Sequence, residues 1–422
     1  MSSISTFINI KENCVSDLVE HIVEHEEVYT HRRYQPEENP IFMEPKLIRA
    51  SFDAERFNEN VIFELMRRIS KDAEKAMSSL FRVYIEGKLS PKDEHEFIFS
   101  SRNECESIEA YFLRLAGNRK FGVIINGAEQ WSDELSRFAQ QTFSPVIHKM
   151  GYDCSTIEVT LFIGNYGYTP FGIHVDDPYT QVVHFHLGPS NKSLTLFEPK
   201  LFHQFNGPSK NCYDPDAMIE MGNTFNIQPG DIFVLPPHYY HVGNTESFSI
   251  GIAIAISKYP KSHVTKNVMR TAITEKIYDK PISDAISSDE FECLSFSEWL
   301  SFHYEKYCFI QKSRGGLRYA YQADRSEEIN HDTILEMDKD FRVLLHEKKD
   351  NLFVFARGNH IKVRNHPAVK QLFQILHEIS TPFTIHHLNE CVLDQISQSD
   401  IQYFIDLLYS FGVIHLRESH EY

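Results

Sequence analysis

Apolar positions change their period along the chain, and the changes mark out the elements. Between Val15 and Val28, Leu18, Ile22 and Val23 recur about one helical turn apart among acids, which predicts a short amphipathic helix. Pro36, Pro40 and Pro45 interrupt the pattern and predict loop. From Phe57 to Ile69 the spacing of Val61, Ile62, Leu65 and Met66 is helical again. Phe121 to Ile125 is an apolar run ended by Asn126-Gly127, the mark of a short buried strand and turn. Ser132 caps a following helix, with Glu134 in its first turn and Leu135, Phe138 and Phe143 along it. Pro145 is expected to kink or end that helix.

Strand patterns then take over. Ile157 to Ile163, Thr180 to Leu187, Ile232 to Leu235 and Phe248 to Ile256 all read as extended. In the last, Ser249, Gly251, Ala253 and Ala255 alternate with Phe248, Ile250, Ile252, Ile254 and Ile256. One face is therefore small, which suits a wall that a ligand must approach closely. In Thr180 to Leu187, Val182, His184 and His186 share a face. Either histidine lines a site if that face is interior; otherwise each is a core histidine bonded to a neighbour. Phe202 to Phe225 is a polar insertion with Pro208 and Pro215, the kind of loop that carries substrate contacts. Beyond Ser257 the chain turns charged and helical. Phe296 to Phe309 forms a helix with aromatic anchors, stopped by Gly315-Gly316. Phe341 to Leu345 and Leu352 to Phe355 read as strands around a turn at Lys348-Lys349-Asp350-Asn351. Val369, Leu372, Phe373, Leu376 and Ile379 form a helical stripe. Ser399-Asp400 opens a last helix through Ile401, Phe404, Ile405 and Leu408. It closes near Gly412, and Val413 to Leu416 follows as a strand.

With 422 residues, two or three domains are expected. The net charge of -17 argues against sequence-independent binding to nucleic acid, which needs a basic surface. It is compatible with a basic protein or peptide partner, and equally with simple solubility. Cys14, Cys105, Cys154, Cys212, Cys293, Cys308 and Cys391 are scattered, with no Cys-x-x-Cys, and read as reduced thiols of a cytoplasmic protein. The start, Met-Ser-Ser-Ile-Ser, has no basic segment leading into an apolar one, and no run is long enough to span a membrane.

The chemistry concentrates in residues 170 to 256. His174 and Asp176, two apart, share one face of an extended segment. His241 follows a Pro-Gly-Asp turn, a short apolar strand and Pro236-Pro237. Two imidazoles and a carboxylate on one face form the facial triad of non-haem Fe(II) oxygenases, which leaves positions open for cosubstrate and O2. The spacing alone is weak: His25-Glu27 and His303-Glu305 have it without supporting context. A metal-free hydrogen-bonded His174–Asp176 pair, or a Zn or Mn site, would use the same residues. Tyr166 and Tyr168, in the approach turn, are each within reach of a cosubstrate carboxylate or are packing residues. Ser249 or Ser257 is a further cosubstrate candidate.

The His174-Val175-Asp176-Asp177 motif, the turn at Leu187-Gly188, the segment Lys192 to Pro199 and the run Gly230 to His241 together resemble the JmjC branch of the cupin-fold Fe(II)/2-oxoglutarate oxygenases. Within it, the chain is most similar to the ribosomal-oxygenase type. The resemblance implies an α+β fold: a double-stranded β-helix (cupin/JmjC jelly roll) with flanking helices. It divides the chain into a mostly helical region packing on the barrel (1–110), the barrel (111–260), a helical linker that can form a homodimer interface (261–340) and a small winged-helix-like domain (341–422). The iron ligands fall on His174, Asp176 and His241. A cation on the strand after the first ligand pair would hold the far carboxylate of 2-oxoglutarate. Counting back from Leu196-Phe197-x-Pro199 it is Lys192, while counting forward from His174 reaches Pro189, so a short insertion must sit in the turn 188–191. Ser399 to Phe411 has no Lys or Arg, so the C-terminal domain is expected to scaffold or dock a peptide, not to bind DNA. His31-Arg32-Arg33 reads as a solvated loop or, alternatively, as a contact for an anionic group.

The implied activity uses Fe(II), 2-oxoglutarate and O2 to hydroxylate an amino-acid side chain of a protein or peptide substrate, with succinate and CO2 as coproducts. N-methyl-lysine demethylation and small-molecule hydroxylation run on the same chemistry. A catalytically inactive cupin scaffold and a zinc cupin isomerase or hydrolase are readings of other classes.

Overall fold

A computed structural model describes residues 8–24, 44–54, 57–277, 296–324, 327–392 and 396–417. His25-Glu27, His31-Arg32-Arg33, Pro36, Pro40, Cys293 and the end of the first expected helix lie outside them. The chain divides into two compact units, residues 1–149 with 156–258, and residues 150–155 with 259–422.

The first unit opens with helix α1 (Glu12–Glu24), which buries Leu18 and Ile22. Strand β1 (Lys46–Ile48) precedes α2 (Asn60–Lys71), whose stripe Val61, Ile62, Leu65, Met66 and Ile69 is buried, as its spacing predicts. Next come β2 (Phe81–Ile85), β3 (Lys88–Leu89), α3 (Pro91–Phe99) and α4 (Ile108–Ala116). The region read as mostly helical thus also supplies three strands. β4 (Phe121–Ile125) is the expected buried strand. α5 (Asp133–Met150) starts at Ser132, whose hydroxyl accepts from the Leu135 amide, and runs through Pro145 to Met150. A helix-interior proline removes one amide donor and kinks or breaks a helix in isolation; here Phe143, Val146 and Ile147 are buried on either side of Pro145, and the helix continues.

The barrel strands follow: β5 (Ser155–Gly164), β6 (Gly167–Tyr168), β7 (Thr180–Pro189) and β8 (Lys192–Phe197). After helix α6 (Pro199–Asn206) come β9 (Asn223–Ile227), β10 (Ile232–Leu235), β11 (Tyr240–Thr245) and β12 (Ser249–Lys258). They form an eight-stranded sheet in the order β1-β10-β7-β12-β5-β4-β2-β3 and a four-stranded sheet in the order β6-β11-β8-β9. Leu194, Leu196 and Ile227 of the smaller sheet meet Phe233 and Leu235 of the larger one in a single apolar cluster. That contact closes the two sheets face to face, as a double-stranded β-helix requires. Behind the larger sheet, Phe185 packs on Phe138 and Phe143 of α5 at 5.1 and 6.4 Å between ring centroids. The insertion at 202–225 is more ordered than its composition suggests. Phe202 is buried and stacks on Tyr240 at 3.7 Å, sealing the outer face of the smaller sheet with Ile173, Phe197, Met218 and Val242.

In the second unit, α7 (Lys261–Ile277) and α8 (Phe296–Ser313) precede Gly315 and Gly316, both at positive φ, the predicted stop. A mini-sheet of β13 (Leu335–Met337) and the last strand of the chain follows. Between these lie a three-stranded meander and three helices. The meander is β14 (Leu344–Lys348), β15 (Asn351–Ala356) and β16 (Asn359–Arg364). The helices are α9 (Pro367–Glu378), α10 (Ile385–Cys391) and α11 (Gln398–Ser410), and β17 (Ile414–Leu416) pairs with β13. Three helices beside a mini-sheet give the winged-helix-like arrangement. The last helix is capped by Ser397, not Ser399: Ser397 and Asp400 form a reciprocal capping box.

Candidate metal centre and its inner wall

The ligand segment is extended, and its backbone is paired to β11. The His174 amide donates to the His241 carbonyl at 3.1 Å and the His174 carbonyl accepts from the His241 amide at 2.7 Å, while Ile173 pairs likewise with Cys212. The pairing sets the two imidazoles side by side, 4.4 Å between centroids. Asp176 completes the group, with its carboxylate oxygens 3.8 Å from His174 Nε2 and 3.8 Å from His241 Nε2. The three ligand atoms lie within 4.8 Å of one another, and no other cluster of this kind occurs among the described residues.

The orientation of the rings tests whether they suit a metal. His174 Nδ1 faces the Gly172 carbonyl at 3.0 Å, and His241 Nδ1 faces the Tyr239 carbonyl at 3.3 Å. A carbonyl can only accept, so each Nδ1 carries the proton and each Nε2 offers its lone pair to the centre. Burial, then neighbouring His174, pushes His241 down to about 4 against the pull of Asp176, so it is neutral at neutral pH. A neutral imidazole and an ionised carboxylate are the forms in which such side chains ligate a divalent cation. The donor set fits a metal.

Gly172 makes this arrangement local. Its φ is +66°, and a Cβ there would overlap the Cys212 carbonyl, which is backbone and cannot yield. Gly172→Ala should therefore cost about 2 kcal/mol of stability and misdirect the carbonyl that orients His174. Thermal unfolding and cobalt titration of the variant should both show the loss.

Lys192 is the first residue of β8, after a two-residue turn at Ser190 and Asn191, and Pro189 is exposed. Of the two counted positions, Lys192 is the one whose side chain is buried on the inner face. Its side chain runs along Gly243, where a Cβ would lie 3.0 Å from Lys192 Cε. The ammonium lies 5.2 Å from the Phe162 ring centroid and donates to Tyr166 OH at 3.2 Å. Lys192 is 8% exposed and Tyr166 7%. Among the described residues no carboxylate pairs with Lys192. His241 and Lys192 sit on the same inner face of the smaller sheet, since His241 pairs with Leu196, Gly243 with Leu194, and Lys192 lies two further on.

Other expectations are sorted by the same register. Tyr166 points inside. Tyr168 packs instead on the outer cluster, and burial, with a hydrogen bond to Asp216, raises its phenol. Ser257 is on the inner face of β12, but its hydroxyl is held by Thr180 Oγ1 at 2.7 Å. It is four residues beyond Ala253, the partner of His184, or roughly 13 Å along the strand. Among the described residues no hydrogen bond joins Ser257 to Lys192. Ser249, at the other end, bonds Thr245 Oγ1 at 2.8 Å. His303 and Glu305 belong to the second unit, and Glu305 pairs there with Lys348 and His346.

Three residues of the wall went unread in the sequence. Arg82 and Tyr84 of β2 flank Phe171: Arg82 lies 5.3 Å over its ring and Tyr84 meets it edge-on at 6.0 Å. Phe171 in turn meets His174 edge-on at 5.3 Å. Alternation in Phe81 to Ile85 was the available signal.

The inner wall carries a pH signature. His186 is fully buried and donates from Nε2 to the Ser190 carbonyl at 2.7 Å. Burial pushes it down to about 4; burial, then Lys192 and His186, pushes His184 well below its usual value. Both folded values lie below the unfolded one, so their stabilisation is complete above about pH 6.5 and lost as pH falls towards 4. For His186 the swing is about 3 kcal/mol. Urea midpoints of the metal-free protein should fall steadily from pH 7 to 4.5, and His186→Asn should flatten that slope.

Two facing antiparallel sheets with a two-histidine, one-carboxylate centre on the inner wall define a cupin-type double-stranded β-helix. Solved structures of similar path include YcfD, a ribosomal oxygenase from Escherichia coli. In complex with cobalt and 2-oxoglutarate it is 13% identical, with a TM-score of 0.47, over 97% of this chain and 100% of that one. Its complex with cobalt and succinic acid is 12% identical at a TM-score of 0.47 over the same shares. No protein-family model matches the sequence, and no curated protein does. Among the described residues no helix is long and apolar enough to cross a membrane.

Proposed function

We propose that this chain is an Fe(II)- and 2-oxoglutarate-dependent oxygenase that hydroxylates a side chain of a protein or peptide. One observation carries the reading. A metal-competent His174–Asp176–His241 face shares its wall with a buried lysine that has no carboxylate partner among the described residues. A buried cation without a counter-ion is costly, and a dicarboxylate whose other end reaches the metal offsets that cost. A zinc hydrolase or a bare scaffold has no use for it.

His174, Asp176 and His241 would hold the iron, which together with 2-oxoglutarate and O2 supplies the oxidising power to insert oxygen into a C–H bond. The chain's own groups do the rest. Lys192 and Tyr166 fix the far carboxylate by a charge-assisted hydrogen bond. The Gly172 and Tyr239 carbonyls hold the tautomers. Phe171, backed by Tyr84 and Arg82, packs edge-on against the His174 ring and steadies it. The net charge of -17 supports a basic partner.

The test is turnover. Protein loaded anaerobically with Fe(II) and then given O2 should convert 2-oxoglutarate to succinate. Peptides incubated with it should gain one oxygen by mass spectrometry. Tight zinc in the purified protein with no oxygen consumption would overturn the reading.

A further inference from the structure

β7 places His184 and His186 on the inner face, stacked at 6.0 Å between centroids. His186 donates from Nε2 to the Ser190 carbonyl, while its Nδ1 is buried and unpaired. His184 has no hydrogen bond among the described residues, and its Nε2 is buried. A buried polar atom left unpaired costs stability unless a ligand completes it. The ring faces the sheet that carries Lys192: its cross-strand partner Phe233 packs in one cluster with Leu194, two residues along β8 from Lys192. It also lies directly above Gly251 of β12, where an added Cβ would come within 2.8 Å of Nε2. Gly251 carries no positive φ, so the backbone does not demand glycine there. The space does. An unsatisfied imidazole, a buried ammonium and a phenol therefore face the same barrel interior, and the neighbouring strand β12 keeps a glycine beside the ring.

We propose that His184 is a third polar contact of the oxo-acid pocket, hydrogen-bonding the metal-distal carboxylate of a dicarboxylic 2-oxo acid beside Lys192 and Tyr166, with Gly251 leaving it room to do so. This rests on the reading of the barrel as a 2-oxoglutarate site. It assigns the chain a neutral donor where a second cation would overcharge the pocket. A mono-anionic carboxylate meets one ammonium and two uncharged groups, so charge balances without a second salt bridge.

The test is calorimetric titration of 2-oxoglutarate into Mn(II)-loaded protein without O2, which reads binding and not turnover. His184→Ala should weaken 2-oxoglutarate by between about 10- and 100-fold, the loss of one hydrogen bond to a charged group, with Mn(II) affinity unchanged. His184→Gln, which retains an amide at similar reach, should recover most of that loss. Gly251→Ala should weaken 2-oxoglutarate by driving the ring from its place, and it carries the test if His184→Ala does not fold. A His184→Ala protein that binds 2-oxoglutarate like wild type overturns the inference alone. So does a glutamine variant as weak as alanine, which would make the role structural. Wild-type protein that takes Mn(II) but no 2-oxoglutarate overturns the parent reading instead.

Discussion

His174→Ala should lose bound metal and 2-oxoglutarate turnover together while the ligand-free protein stays folded. The separation follows from how the site is built. His174 is tied to His241 through its main chain, by amide–carbonyl bonds in both directions, and alanine keeps them. Its imidazole is part-exposed, 18% by side chain, and makes one hydrogen bond, to Gly172. Truncation therefore removes little packing, and the thermal midpoint of the metal-free variant should move by no more than a few degrees. The metal loses one of three protein ligands. Removing an outer-shell partner of a ligand already costs roughly 10–100-fold in affinity, and the ligand itself costs more. Cobalt absorption titration and succinate formation should both fall at least 100-fold, on the order expected from that comparison. Intact turnover in this variant would mean that the metal, if any, sits elsewhere.

The triad was legible because its residues are chemically rare in combination and because strand patterns bracket them. What alternation could not give was depth. It puts Ser257 correctly on the inner face of β12, yet a ten-residue strand spans about 30 Å, and the face alone does not say which end meets Lys192. The pairing of Ser257 with Thr180 places it at the end of β12 far from Gly251. Lys192 was ambiguous for the opposite reason. Counting along the chain fails across an irregular turn, and only the strand start after Ser190 and Asn191 fixes which side chain enters. β2 was missed because its five residues lie between helices, and so short a run is a weak signal. Its alternation of buried and half-buried positions carries Arg82 and Tyr84 to the site. The end of the chain shows a milder version. Ser397, Ser399 and Asp400 offer two capping serines, and only the backbone tells that Ser397 forms the box.

Lys192→Met should leave the ligand-free protein as stable as wild type or more so, and should abolish its response to 2-oxoglutarate. Most buried lysines are expected to behave otherwise. When a buried cation is paired, removing it strands its partner and costs 3–5 kcal/mol. Here the described residues offer no such partner, and the only hydrogen bond is to Tyr166. Methionine preserves the stem along Gly243 and removes a desolvated charge, a gain set against one lost hydrogen bond of about 1 kcal/mol. With ligand the sign reverses. At a concentration one hundred times its dissociation constant, 2-oxoglutarate should stabilise the Mn(II)-loaded wild type by about 2.7 kcal/mol, and the methionine variant not at all. Thermal unfolding with and without 2-oxoglutarate measures both halves. A variant that melts well below wild type in the absence of ligand would show that Lys192 supports the fold. Both outcomes together would mark a lysine kept at a cost to the empty barrel for a carboxylate that arrives later.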